Sequence, residues 1–151
     1  MMKSVLRSTF LKDLDHQQLE IIAPLFEPFC APAFEIVFEK GEYASYLYLI
    51  LHGSVAIQYK PYDGPQITLT HLHSGDVFGW SAVIGNNAYT SRALVTNELE
   101  ALRIHHSALK QLCHKYPGLG YIVLEKLAEA VSPRWKNAKE QIQSVMQESF
   151  R

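Results

Sequence analysis

The spacing of apolar residues changes period twice along the chain. Over residues 9–28, Phe10, Leu11, Leu14, Leu19, Ile22, Ala23 and Phe26 recur at roughly helical spacing. Asp15 is a capping residue type just ahead of His16, and Pro24 shortens or bends whatever helix follows, so two small helical pieces are expected. From 29 to 105 the pattern becomes short runs of Val, Ile, Leu, Tyr, Phe and Thr. Gly, Pro, Asn and Asp break these runs roughly every 8 to 12 residues, as in an all-β sandwich or barrel. Within 46–51, Leu47, Leu49 and Leu51 alternate with Tyr46 and Tyr48, the pattern of a half-buried strand. Residues 54–59 continue the alternation past Gly53, and 61–65 turn the chain into 66–70. Two more strands are expected over 90–96 and 99–105, joined by a turn at Asn97.

Helical spacing then returns. Ser107 is an expected cap for a helix with Ala108, Leu109, Leu112 and Cys113 on one face, ending near Pro117. A longer helical segment carries Leu124, Leu127, Val131, Trp135, Ala138, Ile142 and Val145 as a near-heptad stripe with a slip beside Pro133. Such a stripe can pair with a copy of itself, so a homodimer is expected through these seven residues. Packing onto the protein's own barrel competes with that reading before Pro133. The segments 9–28, 29–105 and 107–147 fit one domain spanning 1–151.

Composition narrows the function classes. With 48% hydrophobic and 19% charged residues the chain is an ordinary globular one, and a net charge of −1 gives no bulk attraction to DNA or to a membrane. Arg134, Lys136 and Lys139 are too few for a DNA-binding surface. Cys30 and Cys113 form neither a metal knuckle nor a disulfide framework and are expected as buried thiols. No leader-like or membrane-spanning apolar run is present, so a cytoplasmic location is expected. No nucleophile elbow, Walker loop, dinucleotide fingerprint or paired-carboxylate motif occurs, so no catalytic residue and no cofactor is assigned. His71 and His73 would share a strand face, but no glutamate follows them at metal-site spacing, and no metal site is assigned.

The most specific stretch is Gly75-Asp76-Val77-Phe78-Gly79-Trp80-Ser81-Ala82-Val83-Ile84, followed at 90–93 by Thr-Ser-Arg-Ala. Ahead of it come Phe38-Glu39-Lys40-Gly41-Glu42, Leu47-Tyr48-Leu49-Ile50 and Gly53-Ser54-Val55-Ala56-Ile57. In order and spacing these resemble the cyclic-nucleotide-binding domain superfamily, with residues 75–93 as its phosphate-binding cassette. The resemblance covers about 10–130. It implies a mainly β protein with flanking helices: an eight-stranded jelly-roll β-barrel, N-terminal helices and a C-terminal helical pair. It also implies a short cassette helix whose first amides face a cyclic phosphate, a close approach of backbone to that phosphate at Gly79, and a ligand site at Gly79, Trp80, Ser81, Ala82, Ser91, Arg92 and Ala93.

Two positions depart from the family pattern. Trp80 stands where the family has the glutamate that accepts a ribose hydroxyl, and an indole has one donor and no acceptor. If Ala93 is the family's final alanine, Ser91 takes the place of its phosphate-binding arginine, and Arg92 points to the opposite strand face. If the loop 85–89 is simply longer, Arg92 is the equivalent arginine. The favoured expectation is a ligand-sensing regulatory module, not an enzyme, with weakened or lost cAMP and cGMP recognition and signalling through its C-terminal helices. Its partners would be a small anionic ligand or cyclic nucleotide, a second copy and a protein, with no DNA and no membrane. The alternatives are a genuine cAMP sensor using unconventional contacts and a cupin-like metal-dependent enzyme.

Overall fold

The computed structural model describes residues 2–9, 11–61, 63–84 and 88–131. Helix α1 spans Met2–Arg7, ahead of the expected helical stretch. Helix α2 spans His16–Ile22 and starts at a reciprocal cap: Asp15 accepts from the Gln18 amide at 2.8 Å while the Gln18 side chain accepts from the Asp15 amide at 3.0 Å. Pro24 sits in a 3₁₀ turn over Ala23–Leu25, and strand pairing begins at once with β1, Phe26–Ala31.

The remaining strands are β2 (Ile36–Phe38), β3 (Tyr46–Tyr59), β4 (Ile67–Leu72), β5 (Val77–Phe78) and β6 (Arg92–His105). Their main order is β1-β6-β3-β4, with β2 on β6 and β5 on β3, all antiparallel. The expected pairs of strands around Gly53 and Asn97 are in fact two long, bent strands. The β3–β6 ladder shifts register between Ile50 and Val55, so each half runs as its own straight segment of the jelly roll. Gly53 is required at this bend: its φ is 98°, and a Cβ there would lie 2.1 Å from the Glu98 carbonyl oxygen. Asn97 does not turn the chain. Its amide donates to Ser54 Oγ at 2.8 Å, and Ser54 Oγ lies 2.6 Å from Thr96 Oγ1, a clamp across the bend.

Two apolar clusters follow from the alternation of β3. Tyr48, Ile50, Val55 and Ile57 point into the barrel with Phe38, Phe78, Ala93 and Val95. Leu47 and Leu49 point out, yet they are buried, because the helices cover that face. The strand is therefore buried on both faces rather than half-buried. The cover consists of α1, α2, helix α4 (His106–Lys115) and helix α5 (Pro117–Glu129). His105, not Ser107, caps α4, its ring nitrogen accepting from the Ser107 amide at 3.2 Å. Pro117 opens α5, where its missing N–H goes unneeded. Cys113 is buried under α5 and its thiol is pushed up to about 11 by burial, whereas Cys30, expected inside, is exposed on β1. Among the described residues no helix is long and apolar enough to cross a membrane.

Candidate functional site

The cassette begins where Asp76 closes a turn, its carboxylate accepting from the His73 amide at 2.8 Å. Strand β5 then pairs Val77 and Phe78 with Leu49 and Tyr48, and Gly79 leads into helix α3, Ser81–Ile84. Gly79 has φ 86°, and a Cβ there would meet the Tyr46 carbonyl oxygen at 2.8 Å. A tight approach to strand β3 thus demands glycine here, and Gly79 also lines the cavity beside it. Two amides of α3 after the first are occupied: Ala82 N–H donates to the Gly79 carbonyl at 3.1 Å and Val83 N–H to the Trp80 carbonyl at 2.9 Å.

Trp80 is 1% exposed and belongs to the outer cluster with Leu109, Leu112, Leu124 and Leu127. It borders the barrel cavity, but its bulk joins the cassette to the C-terminal helices. Ala82, on the other side of the same short helix, faces the barrel interior.

Going into strand β6 the chain alternates faces across Ser91, Arg92 and Ala93. Ser91 and Ala93 are buried toward the barrel, and Ser91 lines the cavity. Arg92 pairs across the ladder with Gln58, points outward and does not line it. Its Nη2 donates to Glu39 Oε2 at 3.1 Å, while Nε lies 3.1 Å from Oε1, off the hydrogen-bond direction. The guanidinium is therefore committed to a carboxylate on the outer surface.

The cavity itself is walled by Phe38, Ile57, Phe78, Ser81, Tyr89 and Ser91, among other residues, none of them charged. Its volume is about 30 Å³, the scale of a water or two rather than the roughly 300 Å³ or more of a small-molecule pocket. Tyr89, which the motif reading passed over as part of a loop, is one of its walls. Its ring stacks on Phe38 with centroids 3.6 Å apart and planes 9° apart. Its hydroxyl donates to the Tyr46 carbonyl at 2.6 Å and accepts from the Tyr46 amide at 3.0 Å, and burial pushes the phenol above its usual range. The available hint was an aromatic residue between the cassette helix and Ser91, a position that must turn back into the barrel.

A larger, open groove of about 800 Å³ lies under α1, lined by Val5, Thr9, His52, Glu100, Lys126 and Glu129; of the cassette it includes only Gly75. His71 and His73 are both exposed, and among the described residues no group of three or more His, Cys, Asp or Glu is placed to hold a metal. Of the stripe expected to dimerise, Leu124 and Leu127 are buried in the protein's own outer cluster and are not free to pair with another copy. Val131 is half-buried, and Trp135, Ala138, Ile142 and Val145 lie outside the described residues.

These elements make an antiparallel jelly roll whose strand-turn-helix cassette walls an interior cavity and abuts the C-terminal helices. The sequence profile of the cyclic nucleotide-binding domain matches residues 30–116, and the chain belongs to that family. It is 27% identical over 115 residues to the cAMP-activated global transcriptional regulator of Pasteurella multocida, covering 76% of this chain and 53% of that one. It is 25% identical over 122 residues to a cAMP-activated global regulator of Mycobacterium tuberculosis, covering 81% and 54%. The chain thus spans about half the length of these curated relatives. A Geobacter metallireducens protein assigned to cyclic nucleotide binding superimposes with TM-score 0.74 at 27% identity, over 86% of this chain and 95% of that one. The regulatory subunit of a cAMP-independent protein kinase A from Trypanosoma cruzi, bound to guanosine, shares the fold with TM-score 0.68 at 20% identity, over 97% and 50%.

Proposed function

We propose that this domain is a non-catalytic, ligand-sensing regulatory module that has lost strong cAMP and cGMP recognition and relays ligand state through its C-terminal helices. The observation that carries the reading lies at the start of β6: Ser91, just ahead of the strand, lines the cavity, while Arg92 is turned out onto Glu39. A cyclic phosphate in this cavity would meet no cation, and an indole replaces the carboxylate acceptor for ribose. Each lost charge-assisted contact costs about 1.5 to 3 kcal/mol, together roughly a hundredfold or more in affinity.

The relay is supported by the seam between cassette and helices. Val77 N–H donates to the Ala130 carbonyl at 3.3 Å, Val77 and Val131 form a parallel bridge, and Trp80 packs against residues of α4 and α5. A shift of β5 or α3 is therefore felt at the end of α5, the kind of packed, two-position element that carries a switch.

Isothermal titration of the purified protein with cAMP and with cGMP is the test. Dissociation constants weaker than micromolar are expected for both; a micromolar or tighter constant for either would remove the proposal. That second outcome would favour a genuine cAMP sensor, a reading supported by the two cAMP-activated relatives.

A further inference from the structure

The cavity combines three features that together select a ligand class. Its walls include aromatic rings, Phe38 and Phe78, the latter stacked on Tyr48. It offers hydroxyls, because Ser81 and Ser91 are more than nine-tenths buried, line the space and make no side-chain hydrogen bond among the described residues. And it offers no charged side chain. A buried anion would be left without a counter-charge there, which costs several kcal/mol, whereas a flat neutral ring with hydroxyls would find both stacking and hydrogen-bond partners.

Tyr89 lines the same space, flat against Phe38 and tied at its hydroxyl to both polar groups of the Tyr46 backbone. Its own backbone is held as well, Tyr89 N–H donating to Glu42 and the Tyr89 carbonyl accepting from Gly41. We propose that Tyr89 is a built-in occupant of the site, and that the ligand which displaces it from Phe38 is an uncharged aromatic heterocycle of the purine nucleoside class. This rests on the reading that the cassette no longer selects cyclic nucleotides. Apparent affinity is then the intrinsic affinity reduced by the small fraction of molecules with Tyr89 out. Weakening the hold of Tyr89 raises that fraction without touching any ligand contact.

The test is calorimetric titration of the wild type, Tyr89→Ala and Tyr89→Phe with guanosine, adenosine, cGMP and cAMP, with circular dichroism to check folding. Tyr89→Ala is expected to bind at least one nucleoside about tenfold or more tighter than wild type, and to gain less for the cyclic nucleotides. Tyr89→Phe keeps the ring and loses only the two hydrogen bonds to Tyr46, so a gain of about threefold is expected, and this variant decides the matter if the alanine variant does not fold. A folded alanine variant short of a tenfold gain, or a phenylalanine variant no tighter than wild type where it must decide, overturns the proposal. So does an equal gain for the cyclic nucleotides. Micromolar binding of cAMP or cGMP to the wild type would instead overturn the functional reading beneath it.

Discussion

At the residue scale, the cassette shows how one position can keep its place in a motif and change its work. Trp80 falls where the motif resemblance expects a ribose-binding residue, yet it lies in the outer apolar cluster with Leu112, Leu124 and Leu127. Its role there is to fix the cassette on the helices by burial. Trp80→Ala is therefore expected to destabilise the fold by about 3 to 5 kcal/mol, measured by urea unfolding, the range for emptying a large aromatic site. A loss below about 1 kcal/mol would mean that the ring is not bearing on the core. Trp80 after Gly79 and the Ser91-Arg92 order can be read off the sequence, but the cassette register cannot, because the loop 85–89 leaves two spacings open. Where the indole goes was not legible, because that depends on helices more than 25 residues away in sequence. Tyr89 was invisible for a related reason: its partners Phe38 and Tyr46 come from other strands.

At the element scale, the strands that read as four short runs fold as two long bent ones, β3 and β6. Period-2 alternation locates a strand well, but it cannot tell a turn from a bulge, since both interrupt the period and both recruit glycine and asparagine. The bend at Gly53 against Glu98 decides between them. Gly53→Ala combines a left-handed backbone with a Cβ driven into a carbonyl oxygen, so it is expected to cost about 3 kcal/mol or more in chemical denaturation. A cost below about 1 kcal/mol would show that the two strands slide apart there easily. The N-terminal helix at His16 was readable because its cap is local, Asp15 to Gln18. Strand β1 was hidden because Phe26 through Ala31 owe their conformation to pairing with β6.

At the scale of the whole molecule, two histidines adjacent in the chain stand where the barrel gives way to its helical cover, at the start of α4. The rings of His105 and His106 lie 4.4 Å apart. Burial first, then His105 and Lys110, lower the pKa of His106 below its ordinary 6.5. The folded state thus binds this proton less readily than the unfolded chain. Stability is fully present above about pH 6.5 and falls as pH drops from there toward the folded value, levelling off below it. Urea midpoints between pH 5 and 8 should therefore decline on the acid side, and His106→Gln should flatten the decline; an unchanged slope in that variant would assign the effect elsewhere. Association is the other question at this scale. With Leu124 and Leu127 buried at home, we propose that any homodimer uses the remaining stripe of Trp135, Ala138, Ile142 and Val145. Light scattering at tens of micromolar should give a dimer mass, and a monomer mass would remove the proposal.

What the sequence by itself determined is the family frame. Glycines at turns and at a bend, a period-2 middle and a period-3.6 end are local constraints that specify an all-β middle between helices, and the resemblance of the motifs to the family adds the jelly roll and marks where its cassette lies. What only the tertiary structure decided is the chemistry of the cavity. Which face Arg92 takes, where Trp80 is buried and what fills the space beside Phe38 are set by pairing and packing between segments far apart in the chain. A strand's side chains alternate by fixed geometry, but which side is inside is a property of what it packs against.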